Sequence, residues 1–132
     1  MSASDVEALQ RLYAEWAKGN FWSFEAMHDD VETQWSTEVP DMGSAQGIEG
    51  LDALLREWHS AWESCRIEAE SFHQAPNERV VVFVRVHARG SGSAIDVDME
   101  NAHVWTMRDG RAAAIRAYTD RERALREAGS AS

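Results

Sequence analysis

Three polar side chains have the types and positions for proton-transfer chemistry: His103, Asn101 two residues before it, and Tyr13 in the first helical stretch. An imidazole with an unperturbed pKa of about 6.5 exchanges protons near neutral pH. An amide or phenol can donate to an oxygen that gains charge when the carbon beside it loses a proton. Asp41, in the loop after the first strand, could add an acid at the mouth of such a site, or simply cap a turn. The five His are widely separated, and no metal-ligand spacing, Ser-His-Asp order or phosphate loop is visible, so no metal is expected.

The elements that must position these residues follow from the pattern. Arg79 to Arg89 is rich in Val and reads as a strand, and Ala94 to Met107 as its return partner. If Gly90–Ser93 is an even-length loop, Arg89 lies opposite Ala94. His87 then faces Asp96, Arg85 faces Asp98 and Phe83 faces Glu100, which puts these charges on an outer face as cross-strand pairs. The other face carries Val80, Val82, Val84 and Val86 against His103, Asn101, Met99 and Val97, and Trp105 and Met107 continue it. An odd-length turn would exchange the faces. Polar groups on an inward apolar face must find partners or line a wet cavity. His103 stands open between lining a pocket and being a satisfied core residue.

The remaining elements come in order. Ser4-Asp5-Val6-Glu7 is a capping box, and a helix runs from it to about Lys18, where Gly19 ends it. Val6, Leu9, Tyr13 and Trp16 share one face, widened by Leu12. A short second helix is expected over Phe21 to His28, with Phe21, Phe24 and Met27 inward. Asp29-Asp30 opens a strand in which Val31, Thr33 and Trp35 alternate with polar residues. Pro40 to Gly47 reads as a loop, and Ile48 to Trp62 as a long helix. Arg66 to Phe72 is a strand. Asp109-Gly110 is a strong hairpin signal, and Ala112 to Thr119 is the last strand. Asp120 caps a closing helix that Gly129 stops. The order is α+β, with a mostly antiparallel sheet curling around helices, in one domain ordered from about residue 4 to 129.

Six Trp in 132 residues suggest a core built around a hollow, or an interface. Trp16, Trp35 and Trp58 are read as apolar walls. The net charge of −10 argues against nucleic acid and anionic membranes as partners. Cys65 is the sole cysteine and is read as structural. Nothing resembles a signal peptide or a membrane-spanning run, so a cytoplasmic location is expected.

The stretches GIEGLDALLREWHSAW, SGSAIDVDMENAHVWTMRDGR and YTDRERALREAG resemble the SnoaL-like branch of the nuclear-transport-factor-2-like superfamily. The resemblance covers nearly the whole chain. It implies a cone-shaped curved sheet around the N-terminal helices, a deep apolar pocket, no cofactor, and a homodimer formed through the outer sheet face. Relatives include ketosteroid isomerases, limonene-epoxide hydrolases, polyketide cyclases and scytalone dehydratases. His103 falls where the isomerases carry a pocket acid. Their helix-one Tyr aligns near Leu12, one residue from Tyr13, and their base Asp falls near Trp35 to Glu38. Where the epoxide hydrolases need Arg-x-Asp, this chain has Arg85-Val86-His87, and Ala117 stands where a last-strand acid belongs, so that reaction is not expected.

Two functions are therefore in view. One is a cofactor-independent isomerase, cyclase or dehydratase acting on a hydrophobic cyclic substrate, with His103 as acid/base, Asn101 and Tyr13 on the substrate oxygen, and Asp41 as a further candidate. The other is a binding module for an apolar ligand. In both, Trp16, Trp35, Trp58, Val82, Val84, Met99, Trp105 and Ala117 line the ligand.

Overall fold

The computed structural model describes residues 3–21, 24–34, 44–60, 62–90 and 96–130. Trp35, Asp41 and residues 91–95 lie outside them. The elements run α1 (Ala3–Trp16), β1 (Met27–Gln34), β2 (Ser44–Gln46), α2 (Gly47–Ser60), β3 (Trp62–Ala75), β4 (Arg79–Gly90), β5 (Asp96–Arg108), β6 (Arg111–Tyr118) and α3 (Arg121–Ser130). The six strands form one mixed, open sheet in the order β2-β1-β6-β5-β4-β3. Every pairing is antiparallel except β1 with β6. The expected α+β architecture is present.

α1 and α2 cover the inner face of this sheet. Leu9, Leu12, Tyr13 and Trp16 of α1 and Leu51 and Leu55 of α2 pack against Val80, Val82, Val84, Trp105 and Ile115. α3 packs on the opposite face, where Ala124 and Ala128 meet Val81, Val104 and Tyr118. Asp120 caps α3 as expected: its Oδ1 accepts from the N–H of Glu122 at 2.9 Å and of Arg123 at 3.2 Å. The Asp109-Gly110 turn joins Arg108 to Arg111, with φ of 55° and 79° at its two central residues. Two positive φ values are what a tight hairpin matched to strand twist requires.

Several boundaries differ from the sequence reading. Residues 24–26 form a turn and Met27 opens β1, so the described part of the expected second helix is not helical. The inward spacing of Phe21, Phe24 and Met27 imitates a helix. Met27 instead pairs with Ala112, and Ala26 O accepts from Ala112 N–H at 2.6 Å. The expected loop before α2 contains β2, which pairs with β1. Trp62 does not close α2; it opens β3 opposite Gly90. α3 continues through Gly129, which does not take the left-handed conformation that stops a helix.

The β4–β5 register is also displaced. Arg89 pairs with Asp96, His87 with Asp98, Arg85 with Glu100 and Val82 with His103. The connection is thus two residues longer than a Gly90–Ser93 loop. A shift of two keeps every side chain on its face, whereas a shift of one would have turned His103 outward. Two further irregularities set the inner surface. Glu70 is an extra residue in β3, since Ala69 pairs with Val84 and Ser71 with Phe83. This bulge reverses the strand's phase and brings Phe72 inward beside Val82. Ala113 is the extra residue in β6, which lets Ala112 and Ile115 both face the core.

Candidate functional site

The inner face concentrates its polar chemistry at one place. His103, on β5, has Val82 of β4 and Ala117 of β6 as its register neighbours. Across from it, the last turn of α1 presents Tyr13. The Tyr13 hydroxyl lies 2.6 Å from His103 Nδ1, and Trp105 Nε1 donates to the same hydroxyl oxygen at 2.8 Å. An indole N–H can only donate, so the Tyr13 oxygen accepts from Trp105 and its own proton is directed to Nδ1. We assign His103 as the neutral tautomer protonated on Nε2. The chain Trp105 N–H, Tyr13 O–H, His103 Nδ1 is polarised in one direction, which strengthens each bond in a low-dielectric interior.

Aromatic rings enclose this chain. The Tyr13 ring stacks on His103 at 5.9 Å, with Trp16 edge-on at 5.2 Å and Phe72 edge-on at 6.0 Å. His103 is 2% exposed, Tyr13 3% and Trp105 0%, so the whole chain of hydrogen bonds is buried. Burial sets their protonation. It pushes the Tyr13 phenol well above its usual 10, against the opposing pull of the Trp105 hydrogen bond. It lowers the His103 imidazole to about 3. Both groups are therefore neutral across the physiological range.

The structure brings together some of the expected site residues and not others. Tyr13, His103, Trp16 and Trp105 form one cluster, walled by Val82, Val84 and Ala117, all buried. Trp58 is half-buried and meets Phe21 edge-on at 5.7 Å. Asn101 shares the inner face, but no hydrogen bond joins its side chain to Tyr13 or His103. It lies half-buried beside a surface hollow of about 610 Å³ that also touches Met99 and Thr119. Met99 is 41% exposed, because β6 ends at Tyr118 opposite Ala102 and leaves residues 96–101 of β5 without a neighbour on that side among the described residues. Trp35 and Asp41 lie outside the described residues. Phe72 joins the cluster unforeseen. Its signal was the three-residue step from Ala69 to Phe72, which an unbroken strand cannot place on one face. Two other hollows, of about 700 and 510 Å³, are lined by other residues: Arg11, Leu12 and Arg111 in the first, Lys18, Cys65 and Arg89 in the second. Burial pushes the Cys65 thiol up to about 12, which makes it a poor nucleophile. Among the described residues no cluster of His, Cys, Asp and Glu is placed to hold a metal, and no helix is long and apolar enough to cross a membrane.

An open, curved α+β sheet closed on its inner face by an aromatic helix defines the nuclear-transport-factor-2-like fold, and solved structures of that class superpose over almost the full chain. The family model described as the SnoaL-like domain matches residues 9–115, and the chain belongs to that family. Among similar structures, TerC co-crystallised with polyporic acid is 24% identical, with a TM-score of 0.74 over 96% of this chain and 98% of that one. A putative SnoaL-like polyketide cyclase from Jannaschia is 18% identical, with a TM-score of 0.75 over 100% and 98%. A Mycobacterium tuberculosis protein in complex with an estradiol hemisuccinate is 16% identical, with a TM-score of 0.69 over 89% and 94%. A search of curated proteins found no match.

Proposed function

We propose that this is a small-molecule pocket protein that takes a hydrophobic cyclic ligand against the inner sheet face, with Tyr13 and His103 at the polar end of the site. The observation that carries this reading is the 2.6 Å Tyr13–His103 bond set among Trp16, Phe72 and Trp105. Apolar residues of similar shape would pack there at no loss of stability, so stability alone gives no reason for the pair. Half-buried Phe24, Ile48 and Trp58 pack against the core and are the apolar groups able to yield to a ligand. A ligand oxygen would compete with His103 for the Tyr13 proton. The ligands named with TerC and the Mycobacterium protein support an apolar ring system. Saturable change in Trp fluorescence with a panel of naphthols, ring ketones and polyporic acid is expected. No change across the panel overturns the reading.

The more specific reading is turnover without a cofactor, as an isomerase, cyclase or dehydratase. The direction of the hydrogen-bond chain favours it. When a ligand oxygen takes the Tyr13 proton donor, Nδ1 loses its partner and is aimed at the same ligand. It could then accept a proton from carbon beside a carbonyl, with Tyr13 stabilising the enolate oxygen. Asn101 and Asp41 remain candidates for orienting or acid roles. Buried as it is, His103 is a weak base, so binding is the better supported of the two. His103→Gln should bind a converted substrate and fail to turn it over; normal turnover removes His103 from the chemistry. We also propose a cytoplasmic homodimer that pairs through the outer face of Phe83, Arg85, His87, Asp96 and Asp98. A monomer by light scattering at micromolar concentration contradicts that assembly.

A further inference from the structure

Thr33 is a second polar position on the inner face, and the Tyr13–His103 pair does not use it. It is 4% exposed, and its Oγ1 is buried without a hydrogen-bond partner. A buried hydroxyl left unsatisfied costs stability, and Val would fill much the same volume without that cost. β4 carries Val at the corresponding inward positions 80, 82, 84 and 86. On packing grounds alone Thr33 is the wrong residue for its place.

Its register ties it to the candidate site. Thr33 pairs with Ile115, and Ile115 pairs with Trp105, so the three lie side by side across β1, β6 and β5. Neighbouring strands are about 4.8 Å apart, which puts Thr33 roughly 10 Å along this row from Trp105. Trp105 is the residue whose indole N–H holds the Tyr13 hydroxyl. Between the two polar ends of this row stands the buried apolar side chain of Ile115, and Val31 is the next buried inward residue along β1 from Thr33. The inner face thus offers a donor–acceptor hydroxyl at each end of an apolar strip about the length of a fused bicyclic ring with its hydrogen bonds.

We infer that Thr33 is a second polar anchor, and that the ligand is a flat ring system bearing oxygen functions at opposite ends, one for Tyr13–His103 and one for Thr33. This rests on the binding reading above. A hydroxyl both donates and accepts, so the far oxygen can be a carbonyl or a phenol.

Calorimetric titration with β-naphthol and with a dihydroxynaphthalene carrying its hydroxyls at opposite ends separates the possibilities. The wild-type protein is expected to bind the diol more tightly. Thr33→Val should raise the melting temperature of the free protein. It should also weaken the diol about three- to ten-fold, to the level of naphthol, while leaving naphthol unchanged. Thr33→Ser keeps the hydroxyl and should keep the preference for the diol. A preference that survives Thr33→Val overturns the anchor and leaves the binding reading standing. Failure of the wild-type protein to bind either compound overturns both.

Discussion

β4 and β5 present two different electrostatic environments on their two faces. Inward, His103 and Trp105 meet Tyr13 with no charged group among them, and burial keeps the titratable pair neutral. Outward, Arg85 bonds Asp98 and Glu100 at 2.8 Å each and Glu70 at 3.3 Å. Arg121 joins the same cluster by bonding Glu70 and lying 4.8 Å above the Phe83 ring. There the partners fix the ionisation. Hydrogen bonds from Arg85 and Arg121 hold the Asp98 and Glu70 carboxyls below their ordinary values, and the bond to Asp98 raises the Arg85 guanidinium. Alternation along a strand therefore separates charge that solvent screens from neutral polar groups that water cannot reach. The shifts on the two faces thus have different causes, burial on the inner one and charged partners on the outer one.

The largest effect should come from the inner face. Trp105→Ala is expected to cost about 3–5 kcal/mol in urea unfolding, since it empties a fully buried site and removes the donor to Tyr13. Tyr13→Phe keeps the ring and should cost about 1–3 kcal/mol by leaving Trp105 N–H and His103 Nδ1 without that partner. A stable Tyr13→Phe protein would mean the hydrogen-bond chain adds little to the fold.

Acid should separate the faces by pH. The folded-state value of His103 lies near 3, below an unfolded value of about 6.5, so the unfolded chain binds more protons between them. Stability from this group is complete above pH 6.5 and falls as the pH drops, by at most about 1.4 kcal/mol per unit. Glu70 and Asp98 contribute stability that is lost only below their unfolded values of 4.5 and 3.8. Loss between pH 6.5 and 5 therefore reports the inner face. It should disappear in His103→Gln, measured by unfolding at each pH. An unchanged slope in that variant assigns the loss to another group.

Much of this contrast was legible in the sequence. Alternating Val in β4 gave the inner face, and the face assignment survived a register error because that error was even. The Asp-Gly turn and the Asp120 cap depend on a few adjacent residues, so they could be read locally. The helix expected near Phe21 could not, because the pairing of Met27 with Ala112 depends on residues 85 positions apart, and helical spacing was the only local signal. The strand pattern is enough to put His103 on the inner face, where it is buried opposite Val82. Its partner atom was not legible, since contact with Tyr13 spans 90 residues. Thr33 looked like an ordinary half-buried strand residue; only packing shows that its hydroxyl has no partner.

The smallest effect belongs to the outer face. Arg85→Gln should destabilise less than Tyr13→Phe, and the loss should shrink as salt is raised, because the cluster is solvent-exposed. A salt-insensitive loss larger than that of Tyr13→Phe would reverse the comparison.

The central claim is that a neutral Tyr13–His103 pair forms the polar end of a ligand site. The most direct measurement is the imidazole nitrogen spectrum of His103, followed from pH 8 to 5 with and without β-naphthol. The account predicts a neutral ring protonated on Nε2 throughout, with the Nδ1 resonance shifting saturably as naphthol is added. A ring that titrates near its ordinary value, or a resonance that ignores a ligand bound by Trp fluorescence, would contradict it.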